Sequence, residues 1–307
     1  MDLAPLLRAY GDSARVGDLL AAGVTERQLR TAVEERVLLS PRRGIVALPD
    51  AREDMLAARI AGGRLTCVSA AVHHGLWLLR PEPRRHLASA KGIGGAAVDH
   101  RLLTVPPLRR LPVAGLADVV LHALRCLPED DALVITEAAL KSGRVEKEFL
   151  ALHLEGRRNG NARRRLERTD GRPDSAPEVV VREMLRRAGL DFAHRVRIAG
   201  IGEVDFLIDG WLILEFDGAA FHMDRKSFRR DLRRNNAGVV RSYATLRFTY
   251  EDVFGNPTGM MRDIRDALQR RPRGIPGTAA GTGNQPRSPS QPGSSSWNSA
   301  SRRLLRR

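Results

Sequence analysis

The chain predicts a mixed α/β protein built in parts: an α-rich start, an α+β middle body, and an α/β domain over residues 172–272. Three observations lead there. Helical periodicity dominates most of the first 170 residues. Three β-prone stretches, 196–201, 203–208 and 211–216, crowd together behind a capped helix in the last third. Beyond 273 the apolar period disappears, and the Gly, Ser, Pro and Asn content of 273–307 predicts a disordered basic tail. The expected division is therefore 1–50, 51–168, 172–272 and 273–307.

In the opening segment, Leu19, Leu20 and Val24 lead to Thr25, which can cap a helix while Gln28 closes a capping box. Leu29, Val33 and Val37 keep helical spacing, and Ser40-Pro-Arg-Arg-Gly44 is a turn signal ahead of the β-prone 45–48. Helix, turn, helix and an arginine-tipped hairpin are the layout of a winged helix. On that layout Arg27, Gln28, Arg30, Arg42 and Arg43 are candidate DNA contacts, although each arginine fits an ordinary solvated surface equally well.

Residues 51–80 are expected to be helical, with Leu56, Ile60, Val68 and Leu76 in a small core. The stretch 84–113 reads as strands broken by Gly-Ile-Gly-Gly95 and Pro106-Pro107, and helical period returns over 115–166. A basic run closing in Thr-Asp-Gly-Arg-Pro173 marks the expected boundary. Cys67 and Cys126 stand apart without CxxC spacing, which predicts neither a zinc knuckle nor a disulfide framework and assigns both to small buried apolar positions. His73-His74 reads as a helix-end pair, since adjacent residues point in different directions on a helix.

Composition sets limits on function. The 307 residues are 42% hydrophobic, enough for substantial cores, and no apolar run approaches the ~20 residues of a membrane span. The start lacks the basic, apolar, small-residue order of a secretion signal, so a cytoplasmic location is expected. The net charge of +15 favours a polyanionic partner such as DNA. Eight arginines and no acid fall in 270–307, so 15 minus 8 leaves +7 for the rest.

The chemistry concentrates in the last domain. Ser175-Ala-Pro-Glu178 opens a helix with Ser at the cap and Glu at the third helical position. Two strands follow whose apolar sets, Val204, Phe206 and Ile208 against Leu212, Leu214 and Phe216, must face one core. That demands paired positions summing to an even number such as 420, hence an odd-length loop such as Asp209-Gly210-Trp211. A two-residue Asp-Gly turn would put the sets on opposite faces. Asp205 then lies opposite or diagonal to Glu215, with Asp217 one step further. Like charges so placed repel, and a divalent cation would relieve them. Hard carboxylate oxygens suit Mg²⁺ or Mn²⁺, which polarises a phosphodiester and acidifies water.

Glu178, Glu-Val-Asp205, Leu-Glu215-Phe-Asp217-Gly218, Phe221-His222, Arg230-Asp231 and Leu-Arg247-Phe-Thr249 resemble the PD-(D/E)xK nuclease superfamily, in its branch of very-short-patch-repair-like (Vsr-like) endonucleases. The resemblance implies a restriction-endonuclease-like mixed sheet flanked by helices. It implies Asp205 as principal metal ligand, Glu215 as second acid, Glu178 as organiser and His222 near the scissile phosphate. Asp217 stands where the superfamily signature has lysine, a departure that the Vsr-like branch shares. It leaves phosphate stabilisation to other groups, such as Lys226, Arg229 or His222. Val-Gly-Asp-Leu-Leu-Ala-Ala-Gly23, Gln28-Leu-Arg and Ser40-Pro-Arg-Arg-Gly-Ile-Val-Ala-Leu48 resemble the winged-helix start of AbiEi-type antitoxins, and the body containing Glu137-Ala-Ala-Leu140 resembles the region that follows it.

The expected function is a metal-dependent endodeoxyribonuclease in DNA repair or phage defence, with DNA as partner and a cognate toxin or defence protein as a further candidate. The basic segment 224–234, with Lys226, Arg229, Arg230 and Arg233, fits either a DNA-backbone track or a solvated charged face. Glu178 also serves as a plain capping residue, Asp217 as a cap for the turn at Gly218, and His222 as a packed histidine. The alternative function is a non-catalytic winged-helix regulator with a degenerate nuclease domain. RNA as substrate stays open, because the same metal chemistry serves either backbone.

Overall fold

The structure is a computed structural model that describes residues 2–93, 95, 97–101, 103–217 and 236–270. Among the described residues the fold is mixed α/β with three small sheets, and no helix is long and apolar enough to cross a membrane. The tail 273–307 lies outside the described residues.

The first part runs α1 (Ala4–Ala9), β1 (Ser13–Arg15), α2 (Val16–Ala21), α3 (Glu26–Glu34), β2 (Leu39–Arg42) and β3 (Ile45–Ala47). The Thr25 hydroxyl accepts the Gln28 main-chain N–H at 3.2 Å and the Gln28 side-chain Oε1 accepts that of Thr25 at 2.8 Å, so both halves of the capping box form. The β2–β3 hairpin turns at Arg43-Gly44, where Gly44 has φ +79°. β1 adds as a third antiparallel strand, in the order β1-β3-β2, over a core that includes Leu7, Leu19, Leu29, Leu38 and Val46.

The middle part contains α4 (Glu53–Ile60), β4 (Arg64–Leu65), α5 (Cys67–Ala71), β5 (His86–Ala88), β6 (Val98–His100), α6 (Leu116–Cys126), α7 (Glu129–Lys141), α8 (Lys147–Leu152) and α9 (Gly160–Glu167). The expected helical run over 51–80 is interrupted. Gly62 takes φ +69°, and a Cβ on Gly63 would meet Ile93 Cδ1 at 2.5 Å and Ala88 O at 3.3 Å, so this glycine pair lets the chain turn into β4 close beside its partner strand β5. The strands expected over 84–113 reduce to two of three residues each.

The last part has α10 (Ala176–Arg187), β7 (Phe192–Ile198), β8 (Gly202–Ile208), β9 (Leu212–Asp217) and β10 (Ala244–Thr249), then helices Tyr250–Phe254 and Pro257–Gln269. The sheet order is β10-β9-β8-β7, antiparallel except for the parallel β9–β10 pair. β8 and β9 pair as Phe206↔Leu214, Leu207↔Ile213 and Ile208↔Leu212. This is the even register required by burial, closed by Asp209-Gly210-Trp211 with Asp209 at φ +48° and Gly210 at φ +73°. Phe206, Ile208, Leu212 and Leu214 pack on Val179, Val181 and Leu185 of α10. The strand β10 lies outside the three β-prone stretches of the sequence reading, and β7 begins four residues before the first of them.

α7 serves two cores. Its Leu133 and Val134 join the sheet's core, while Ala132, Ile135, Ala138 and Ala139 join that of the middle part. From the same helix Glu137 accepts the Gly171 N–H at 2.6 Å and pairs with Arg182 of α10, both side chains being buried. The stretch read as a boundary is thus anchored by backbone donors to a buried ion pair.

Candidate active site

The site begins where the β8–β9 ladder stops. Main-chain pairing ends at Phe206↔Leu214, and the next N–H of β9 on that side, Phe216, donates to Asp205 Oδ2 at 2.8 Å. The carboxylate of Asp205 thus occupies the fork between the strands. Alternation puts Asp205 and Glu215 on the face opposite Phe206 and Leu214, both half-buried. Burial pushes the Asp205 carboxyl up to about 6; the charges of Glu178 and Glu215 push the same way, against the Phe216 N–H and His194.

Glu178 reaches this region from the first turn of α10. It accepts from Ser175 Oγ at 2.9 Å and from the Asp174 N–H at 3.1 Å, and its Oε2 lies 3.4 Å from His194 Nε2. Ser175 caps the helix in return, accepting the Glu178 N–H at 3.4 Å. Glu178 closes the cap, as its plain reading expects, and its charge also acts on Asp205. On the other side, β10 runs parallel to β9 with Arg247 opposite Glu215, and Arg247 Nη2 stands 3.2 Å from Glu215 Oε2. A cavity of about 330 Å³ lined by Val239, Tyr243, Ala244, Thr245 and Arg247 adjoins this strand.

Glu178 and Glu215 thus lie near enough to Asp205 for their charges to act on it. Asp217 ends β9 opposite Thr249, but its side chain, like His222, Lys226, Arg229, Arg230 and Arg233, lies outside the described residues. Two neighbours went unread in the sequence. His194 fell before the expected start of its strand, and Arg247 was read as part of a motif without a strand to carry it beside Glu215.

In the first part, Arg27, Arg30 and Arg43 are exposed. Gln28 is engaged in its capping box, and Arg42 donates to the Ile60 carbonyl. A larger cavity, of about 730 Å³, opens elsewhere, with Arg15, Arg64, Arg109 and Arg110 in its wall and Asp18 among them. It contains no pair of carboxylates.

One expectation is overturned in part. Cys67 is buried in the core as expected, but Cys126 is exposed, and neither stands apart: the two meet His86 and His100 in one cluster. Spacings of 19, 14 and 26 residues separate these four positions, so no short motif announces them. His73 and His74 form no such cluster; their Nε2 atoms lie 2.9 Å from Asp54 Oδ2 and 2.9 Å from the Ala114 carbonyl, respectively.

No protein-family model matches this chain, and no curated protein matches it.

Proposed function

We propose that this protein is a metal-dependent DNA endonuclease, with a restriction-endonuclease-like fold in its last part and a winged helix in its first 50 residues. The observation that carries the reading is the β8–β9 register, which sets Asp205 and Glu215 on one face at a point where the strands separate. The donor set fits Mg²⁺ or Mn²⁺: hard oxygens, a raised Asp205 pKa, and a third carboxylate close enough to raise it further. When bound, the ion supplies positive charge to a phosphodiester and acidifies water.

The chain's own residues do the remainder. Asp205 and Glu215 hold the ion, and Asp205 is kept in place by the Phe216 N–H. Glu178, tied down by Ser175 and the Asp174 N–H, holds His194 beside the site. Arg247 brings a guanidinium beside Glu215, a cation in a site whose signature position holds Asp217 instead of lysine. Asp217 and His222 are retained as further members from the resemblance. Arg27, Arg30 and Arg43 grip duplex phosphates, as do Lys226, Arg229, Arg230 and Arg233.

Purified protein is expected to nick supercoiled plasmid with Mg²⁺ or Mn²⁺. Asp205→Ala should lower the rate by at least about a hundredfold, the scale of losing a metal ligand worth several kcal/mol. Cleavage undiminished in that variant would overturn the assignment. A second reading, a DNA-binding regulator or antitoxin-like protein with a degenerate site, is favoured by the Arg247–Glu215 ion pair, which neutralises one of the two ligands. Calorimetry decides between them: a nuclease gives Mn²⁺ binding that disappears in Asp205→Ala, whereas a regulator gives none. Running single-stranded, duplex and RNA substrates together settles the backbone.

A further inference from the structure

The middle part gathers four metal-binding side chains that the nuclease reading does not use. Cys67 opens α5, His86 opens β5, His100 ends β6 and Cys126 ends α6. One ligand atom from each lies within 4.8 Å of all the others. His86 Nδ1 stands 3.1 Å from His100 Nε2 and 3.8 Å from Cys126 Sγ. A tetrahedral zinc ion, with bonds of about 2.0–2.3 Å, holds its ligand atoms about 3.3–3.8 Å apart. Shifts of a few tenths of an ångström to about one ångström bring the four onto that geometry.

The fold directs this convergence. β5 and β6 run parallel with Ala88 opposite His100, so His86, two residues earlier, shares a face with it. The Thr66 N–H donates to the His86 carbonyl at 3.0 Å, which brings the following residue, Cys67, to the same corner. Cys67 is held at φ +51°, a conformation that costs a non-glycine residue energy and persists where its surroundings over-determine it.

A second ring of contacts orients the ligands. The His86 N–H donates to Ser69 Oγ at 2.9 Å. The His100 ring stacks on His122 with centroids 4.6 Å apart, and His122 Nδ1 lies 2.7 Å from Thr66 Oγ1. Outer contacts of this kind fix ring orientation at metal sites.

We propose that Cys67, His86, His100 and Cys126 bind one zinc ion in a closed structural site that staples the middle part together. Two thiolates and two imidazoles are the donor set of structural zinc, not of the Mg²⁺ or Mn²⁺ assigned to the carboxylates. Four protein ligands leave no position for substrate. The local need is physical: β4, β5 and β6 have two or three residues each, so their ladders contribute little, and a metal that binds only the folded arrangement adds its binding free energy to folding.

The test uses the full chain, purified without chelator and without a polyhistidine tag. Elemental analysis is expected to find one zinc per chain. Replacement by Co²⁺ should produce the intense visible bands of a tetrahedral sulfur–nitrogen site together with thiolate-to-cobalt charge transfer in the near ultraviolet. This readout needs no variant and so survives any folding defect. Cys126→Ser, at the exposed ligand, should weaken zinc retention by about tenfold or more, whereas Asp205→Asn should keep the metal, separating this site from the nuclease site. Substoichiometric metal with no tetrahedral cobalt spectrum would overturn the proposal. So would mass spectrometry showing a Cys67–Cys126 disulfide in freshly isolated protein.

Discussion

Two clusters of polar side chains, one in the last part and one in the middle, are built from opposite chemistry. Glu178, Asp205 and Glu215 are like-charged, hard and half or fully buried, and the pKa of Asp205 is raised by its burial first and then by the charges of the other two. Cys67, His86, His100 and Cys126 can all be neutral and are soft, and they approach one another with short contacts. The first arrangement costs stability until a cation arrives. The second is drawn together by hydrogen bonds before any ion is added. The lesson is that an acidic site advertises itself by conflict, whereas a thiol–imidazole site does so by convergence.

α7 links the two regions, so the sharpest way to break the comparison is to cut that link. Glu137→Ala takes from buried Arg182 one of its three acidic partners, leaving Asp170 and Glu183, and strips the acceptor from the Gly171 N–H. The expected cost is about 3 kcal/mol, read from urea unfolding. Both cores should lose protection together in hydrogen exchange. If only the sheet's core loosens, the two regions fold independently.

A smaller effect should come from the acidic site itself. Unfolded, Asp205 releases its proton near its ordinary value of 3.8; folded, near about 6. Between these values the native state holds more protons than the unfolded chain, so stability falls as pH rises, and the penalty is complete above about pH 6. Asp205→Asn is therefore expected to be more stable than the parent by about 2 kcal/mol at pH 8, with the gap closing as pH falls toward 4. Saturating Mg²⁺ should narrow the gap at pH 8 by stabilising only the parent. A gap that is the same at both pH values would mean that burial and the neighbouring carboxylates do not raise the Asp205 pKa.

The smallest predicted effect lies away from both clusters. Thr25→Ala removes a cap from α3 and should cost about 1 kcal/mol. Zinc content and Mn²⁺ binding should be unaffected, while duplex affinity falls if the first part holds DNA. Loss of bound zinc in this variant would show that the middle cluster depends on the N-terminal part.

Much of the acidic site could be read from the chain because it rests on local rules. The alternation of Val204, Phe206 and Ile208 with Asp205, and of Leu212, Leu214 and Phe216 with Glu215, admits one register once both apolar sets must enter one core. Ser175 and Glu178 declared their helix start in the same way, as did Thr25 and Gln28. Sequence alone determined those elements, since period and capping act over a few residues. Only the tertiary structure decided that β10 would lie parallel beside β9 and bring Arg247 to Glu215, or that α7 would seal two cores. Only it could join Cys67 to Cys126 across 58 intervening positions. Such contacts are chosen by chain crossings and packing between distant segments, and one-dimensional spacing carries no record of them.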